Sequence, residues 1–197
     1  MTDRFDVLSA GSSEGGLAGA GSGVDVNAAK MIGIDIIIDC DAWLGAGFDL
    51  EALAASCARA VARQTPAPRG AQSGDVAILF TDDDKIRDLN HRFRQRDKAT
   101  NVLSFPAGSD QADTGILGDI ALGFETCASE AAAGPGMKAH TAHLLVHGIL
   151  HLLGYDHEDD RDADEMEAME TQILAALGFK DPYANGEPLG ADAEQLK

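Results

Sequence analysis

The chain has 197 residues, 45% of them hydrophobic and 24% charged, with a formal net charge of −18. That length holds one good core and is too short for two ordinary domains, and no run approaches the roughly 18 apolar residues that span a bilayer. The three cysteines, Cys40, Cys57 and Cys127, are odd in number and lie in no CxxC spacing, which argues against a disulfide framework and against a cysteine zinc site.

Residues 1–30 are rich in Gly, Ser and Ala without periodicity and read as a flexible extension. They lack the basic start and apolar stretch of a secretory signal, so the expected compartment is the cytoplasm. Ile32, Ile34, Ile36 and Ile38 alternate with Gly33, Asp35, Ile37 and Asp39, a strand pattern. Asp49 is placed to cap a helix running through Arg63, with Leu50, Leu53, Ala54, Cys57 and Val61 on one stripe. Pro66, Pro68 and Gly70 end it in a loop. Asp75 to Phe80 is a second, short apolar strand. Thr81 with Asp84 three residues on resembles a capping box, opening a helix from about Asp82 to Arg94 that buries Ile86, Leu89 and Phe93. Thr100 to Phe105 is β-prone and stopped by Pro106. After a polar turn over Gly108 to Gly115, Leu117 to Leu122 returns as a fourth strand, close enough to the third for a hairpin. Phe124 to Ala133 reads as a helix broken by Gly134-Pro135-Gly136, and a more apolar helix follows from Met137 or Lys138 to Leu153. A last helix from roughly Ala163 to Leu177 carries Met166, Met169, Ile173 and Leu177 on one stripe and is closed by Gly178. The order predicts an α+β fold. It is a single domain over residues 31–180, a small mixed four-stranded sheet packed by about five helices, with a metal site at the end of a central helix. Residues 181–197 read as a flexible C-terminal tail.

That central helix carries the chemistry. His147 and His151 are four residues apart, so they share one face, one turn above the other. Gly154 supplies a left-handed residue that reverses the chain and swings His157 back toward them. Three imidazoles on one point, with a fourth position left for water, is the arrangement of a catalytic zinc site. The spacing H-x-x-x-H-x-x-G-x-x-H matches the metzincin protease signature except that Gly148 stands where those enzymes carry glutamate. Without that base a metalloprotease is disfavoured, yet a divalent ion still acidifies water, so hydrolysis of another bond remains open. A fourth protein ligand, such as Asp156 or His143, would point instead to a structural metal in an assembly factor. Partners for the second ring nitrogens are sought among Asp156, Asp119 and backbone carbonyls. His140 and His143 read as helix-face residues outside the ligand set.

Charge is segregated along the chain. Lys85 to Lys98 holds six of the fifteen basic residues against two acids, whereas Asp156 to Glu170 holds nine carboxylates and one arginine. A pI near 4.4 argues against broad nucleic-acid binding, so any RNA contact must rest on the local basic surface. Arg92 and Arg96 read as solvated residues at a helix end. Arg94 is the choice for clamping a phosphodiester oxygen and stabilising its transition-state charge.

The stretch His147-Gly148-Ile149-Leu150-His151-Leu152-Leu153-Gly154-Tyr155-Asp156-His157 resembles the HGxLHLxGYDH motif of the YbeY family of bacterial endoribonucleases, also described as rRNA maturation factors. Leu89-Asn90 and Phe93-Arg94 ahead of Asp97, then Thr100-Asn101-Val102-Leu103-Ser104-Phe105-Pro106 and Leu117-Gly118-Asp119-Ile120, extend the resemblance over about Ile34 to Phe179. The resemblance implies a zinc-dependent, single-strand-specific endoribonuclease of 16S rRNA 3′-end maturation and ribosome quality control. Its metal ligands would be His147, His151 and His157, holding one Zn2+ or another divalent transition metal. Arg94 and His147 would be its catalytic residues. The implied partners are single-stranded RNA, 16S rRNA and the small ribosomal subunit with its proteins, with no DNA and no membrane.

Overall fold

The computed structural model describes residues 31–65, 73–108, 114–157 and 159–184. Four strands form one sheet: β1 (Ile32–Ile38), β2 (Gly74–Thr81), β3 (Val102–Pro106) and β4 (Ile116–Gly123). Five helices accompany it among the described residues: α1 (Leu50–Gln64), α2 (Asp83–Arg94), α3 (Phe124–Ala133), α4 (Met137–Leu152) and α5 (Asp160–Ala176). The sheet order is β1-β2-β4-β3, with β1, β2 and β4 parallel and β3 antiparallel to β4. The expected α+β architecture with a mixed four-stranded sheet is present.

The pleat sorts the core. Ile78, Phe80, Val102, Ile120 and Leu122 belong to the larger hydrophobic cluster with residues of α1, α3, α4 and α5. Their neighbours of opposite parity, Leu79, Leu103, Phe105 and Ala121, join Ile86 and Leu89 of α2 in a smaller one. Successive strand residues face opposite sides, so α2 covers one face and the other helices cover the other. β1 departs from simple alternation: Ile32, Ile34 and Ile36 pack on the large cluster, Ile37 on the small one, and Ile38 is 38% exposed. Its position at the sheet edge leaves that last residue without cover. The loop expected at Pro66, Pro68 and Gly70, most of the turn before β4, the 1–30 extension and residues 185–197 lie outside the described residues.

Capping accounts for the helix ends, and corrects two of them. Asp49 accepts from the Ala52 N–H as expected. The cap of α2 is Asp82, whose carboxylate accepts from the Lys85 N–H at 2.8 Å. Thr81, the expected cap, instead ends β2, buried, and its hydroxyl donates to Asp39. α5 starts three residues earlier than its apolar pattern, because Asp159 caps it by accepting from the Arg161 and Asp162 N–H groups. No helix of the described residues is long and apolar enough to cross a membrane.

Candidate metal centre

Every residue of α4 from His140 to Leu152 is buried, which makes α4 the axis of the molecule. It approaches β3 and β4 through Gly148. A Cβ there would lie 2.9 Å from Ile120 Cδ1 and 3.1 Å from Ser104 Oγ. Glycine at this position is therefore a packing requirement, and a glutamate of the protease kind has no room.

The helix ends in a Schellman turn. Gly154 adopts φ +84°, its N–H bonds the His151 carbonyl at 3.0 Å, and the Tyr155 N–H bonds the Leu150 carbonyl at 3.1 Å. The chain reversal brings His157 to His147 and His151, with ring centroids 5.6 and 5.0 Å away. One ligand-capable atom from each of His147, His151 and His157 lies within 4.8 Å of the others. The three histidines expected from the spacing are thus brought together.

Their hydrogen bonds decide which nitrogens are free. His151 Nδ1 lies 3.0 Å from the Tyr155 carbonyl oxygen, which can only accept, so Nδ1 carries the proton. His147 Nδ1 lies 2.8 Å from Glu170 Oε1 and donates to it. Both Nε2 atoms are then bare lone pairs, and they face each other at 3.0 Å. Burial, then the neighbouring His147 and His157, push the His151 pKa down to about 3, so it stays neutral near pH 7. Two facing lone pairs repel unless a cation lies between them. Ligand nitrogens at about 2.0–2.1 Å in a tetrahedron stand about 3.3 Å apart, so this donor set fits a divalent ion.

The sequence missed His147's partner. Glu170 is 1% exposed on the apolar stripe of α5, between Met166 and Ile173, and that interruption by a carboxylate was the signal that could have found it. Burial favours its neutral form, but His147 and His143, by charge and hydrogen bonding, prevail and hold it ionised below the usual carboxylate range. His143 donates from Nε2 to Glu170 Oε2 at 2.8 Å, and His140 pairs with Glu130 Oε2 at 2.8 Å. Asp156 accepts the His157 backbone N–H at 2.8 Å. His143 and Asp156, the two candidates for a fourth ligand, thus have other partners. So do the cysteines: Cys57 and Cys127 are buried, with burial raising the Cys57 thiol to about 12.

Arg94 is the last residue of α2. Gln95 ends that helix in a left-handed conformation, φ 59°, and Asn90 Nδ2 holds the returning loop by donating to the Lys98 carbonyl at 2.7 Å. Arg94 Nη2 lies 3.4 Å from the carbonyl oxygen of Ser104 on edge strand β3, and the Ser104 hydroxyl faces Gly148, next to His147. Burial and the neighbouring Arg96 lower its pKa, though a guanidinium remains charged at neutral pH. Arg87 and Arg92 turn to Asp97 and Asp88, at 2.6 and 3.6 Å.

An α+β fold whose central helix and its terminal turn converge three neutral imidazoles on one point defines a protein able to hold a metal ion. The chain belongs to the Endoribonuclease YbeY family, whose sequence profile matches residues 45–178. It is 45% identical over 167 residues to the endoribonuclease YbeY of Methylocella silvestris, covering 83% of this chain and 91% of that protein. The proteins of the same name from Azorhizobium caulinodans and Agrobacterium fabrum are 47% identical over 157 residues and 50% identical over 119. Those matches cover 77% and 58% of this chain, and 96% and 71% of the relatives. A solution structure of TM1509 from Thermotoga maritima is 27% identical, with a TM-score of 0.48, over 73% of this chain and 87% of that one. Membership places the chain among endoribonucleases, hydrolases acting on RNA phosphodiester bonds.

Proposed function

We propose that this chain is a zinc-dependent endoribonuclease that cuts single-stranded RNA, acting in the cytoplasm on the 3′ end of 16S rRNA and in ribosome quality control. The observation that carries this reading is the convergence of unprotonated nitrogens of His147 and His151 with His157 within 4.8 Å. His147, His151 and His157 would hold the ion; zinc suits three neutral imidazoles, and another divalent transition metal remains the alternative. When bound, the ion supplies Lewis-acid polarisation of a phosphoryl oxygen and acidified water.

The chain's own residues do the rest. Arg94 extends along the outer edge of β3, and its fork of donors matches two oxygens of a phosphodiester. Its partial burial strengthens that attraction, because charges interact more strongly away from bulk water. Gly148 contributes no acid or base, so the phosphoryl charge falls to Arg94 and the ion. The acidic segment 156–170 suits contact with basic proteins of the small ribosomal subunit.

His151→Ala is expected to abolish zinc content and RNA cleavage together. Arg94→Ala is expected to slow cleavage of a single-stranded RNA by roughly 10²–10³-fold, the usual cost of one oxyanion donor, with zinc still bound. Zinc-free protein cutting that RNA at an undiminished rate would overturn the proposal.

A further inference from the structure

Among the described residues Glu170 is the one carboxylate, lysine or arginine that is buried, at 1% exposure. Three donors converge on it. Oε1 takes the Nδ1–H of His147 at 2.8 Å, Oε2 takes the Nε2–H of His143 at 2.8 Å, and Oε2 also accepts the hydroxyl of Tyr183. His143 and His147 are successive turns of α4, whereas Tyr183 arrives from the segment beyond α5. That segment is itself tied down: Asp181 Oδ1 accepts both the Tyr183 N–H at 2.9 Å and the Thr171 hydroxyl at 3.2 Å. The Tyr183 ring stands edge-on to His143, with centroids 5.4 Å apart at 88°. Residues 181–183, expected to belong to a loose tail, therefore reach the back of the metal centre.

We propose that Glu170, locked by His143 and Tyr183, is the positioning residue of the metal centre. It keeps the proton of His147 on Nδ1, holds the ring so that Nε2 meets His151 and His157, and sets its charge opposite that of a bound cation. A carboxylate behind a ligating imidazole raises the basicity of the ligand and restricts its ring. The turn after α5 thereby controls metal affinity, although none of its residues is a ligand. This rests on the metal reading of the histidines and not on the identity of the RNA.

The test is zinc titration of the full chain, stripped of metal, against a chromophoric chelator, for wild type, Glu170→Gln and Tyr183→Phe. Glu170→Gln is expected to weaken zinc binding about 10–100-fold and Tyr183→Phe roughly tenfold or less, as for other partners of ligating histidines. RNA cleavage lost at limiting zinc should return at saturating zinc, a rescue that a purely structural role would not produce. Wild-type zinc affinity in both variants overturns the proposal, as does a cleavage loss that saturating zinc leaves in place. If Glu170→Gln fails to fold, Tyr183→Phe, which keeps the ring, decides alone. Weakened zinc binding in the variants, with no RNA cleavage even by wild type, would uphold the positioning role and sink the nuclease reading. Cleavage by wild type with unaltered zinc affinity in the variants would do the reverse.

Discussion

His151 and Glu170 are buried ionisable groups whose folded forms hold fewer protons than the unfolded chain at moderately acid pH. His151 is depressed to about 3 by burial first and by its histidine neighbours second, against an unfolded value of about 6.5. Between those values the unfolded chain binds the extra proton, so stability is present above about pH 6.5 and is lost as pH falls. Glu170 acts in the same direction lower down: its contribution is present above its unfolded value, about 4.3, and is lost as pH falls toward the depressed folded value. A tenfold difference in proton affinity between folded and unfolded chains is worth about 1.4 kcal/mol, so the zinc-free protein is expected to lose on the order of a few kcal/mol between about pH 6.5 and 3. Urea denaturation across that range measures it, and a level profile would contradict the assignment. The pair Arg87–Asp97 is just as short, at 2.6 Å, but with side chains 52% and 63% exposed it adds little. Burial, not distance, separates the two cases.

At the scale of elements, glycines set how closely α4 and the β3–β4 hairpin can approach. Parallel pairing of β2 with β4 shifts register between Asp75 and Val76, an irregularity in which Gly118 adopts φ +145°. A Cβ at Gly118 would meet the Phe105 carbonyl oxygen at 2.3 Å and Leu152 Cδ2 at 2.9 Å. Backbone cannot move aside as a side-chain tip can. Gly118→Ala is therefore expected to cost about 2–4 kcal/mol, from backbone strain and overpacking together. Chemical denaturation with the midpoint and slope compared against wild type checks it; a loss below about 0.5 kcal/mol, the usual range of surface changes, would show that the hairpin yields. At Gly148 the nearest atom is instead the end of Ile120, which can give by a few tenths of an ångström.

The whole molecule is tied together at Trp43, the one tryptophan of the chain. It is fully buried in a short 3-10 turn after β1, and its Nε1 donates to the Thr81 carbonyl at 2.9 Å. Its ring stands edge-on to Phe80 of β2 and Phe124 of α3, at 4.9 and 5.3 Å. Because those contacts join three parts of one core, the loss of Trp43 fluorescence should coincide with loss of helix by circular dichroism in a single transition. Separate midpoints would mean that the sheet and the helical layer unfold independently. The net charge of −18 is carried by the same molecule as the basic helix end, so its partners are sorted by face and not by overall sign.

The sequence by itself determined the elements and the metal ligands, because both are local. Period and caps mark strands and helices. A four-residue step followed by a helix-ending glycine forces His147, His151 and His157 toward one another whatever surrounds them. Where two local signals competed, as at Thr81 and Asp82 or at the start of α5, the boundary slipped by a few residues. Contacts between distant segments were decided only by the tertiary structure. Glu170 lies 23 positions from His147, and Tyr183 lies 13 beyond that, so no periodicity links them. Gly148 looked like a protease motif lacking its base until its closeness to Ile120 and Ser104 showed a packing requirement. The spacing brought three histidines together; the fold supplied the carboxylate and tyrosine behind them, because only the packing of α5 against α4 puts a buried charge within reach of a ligand.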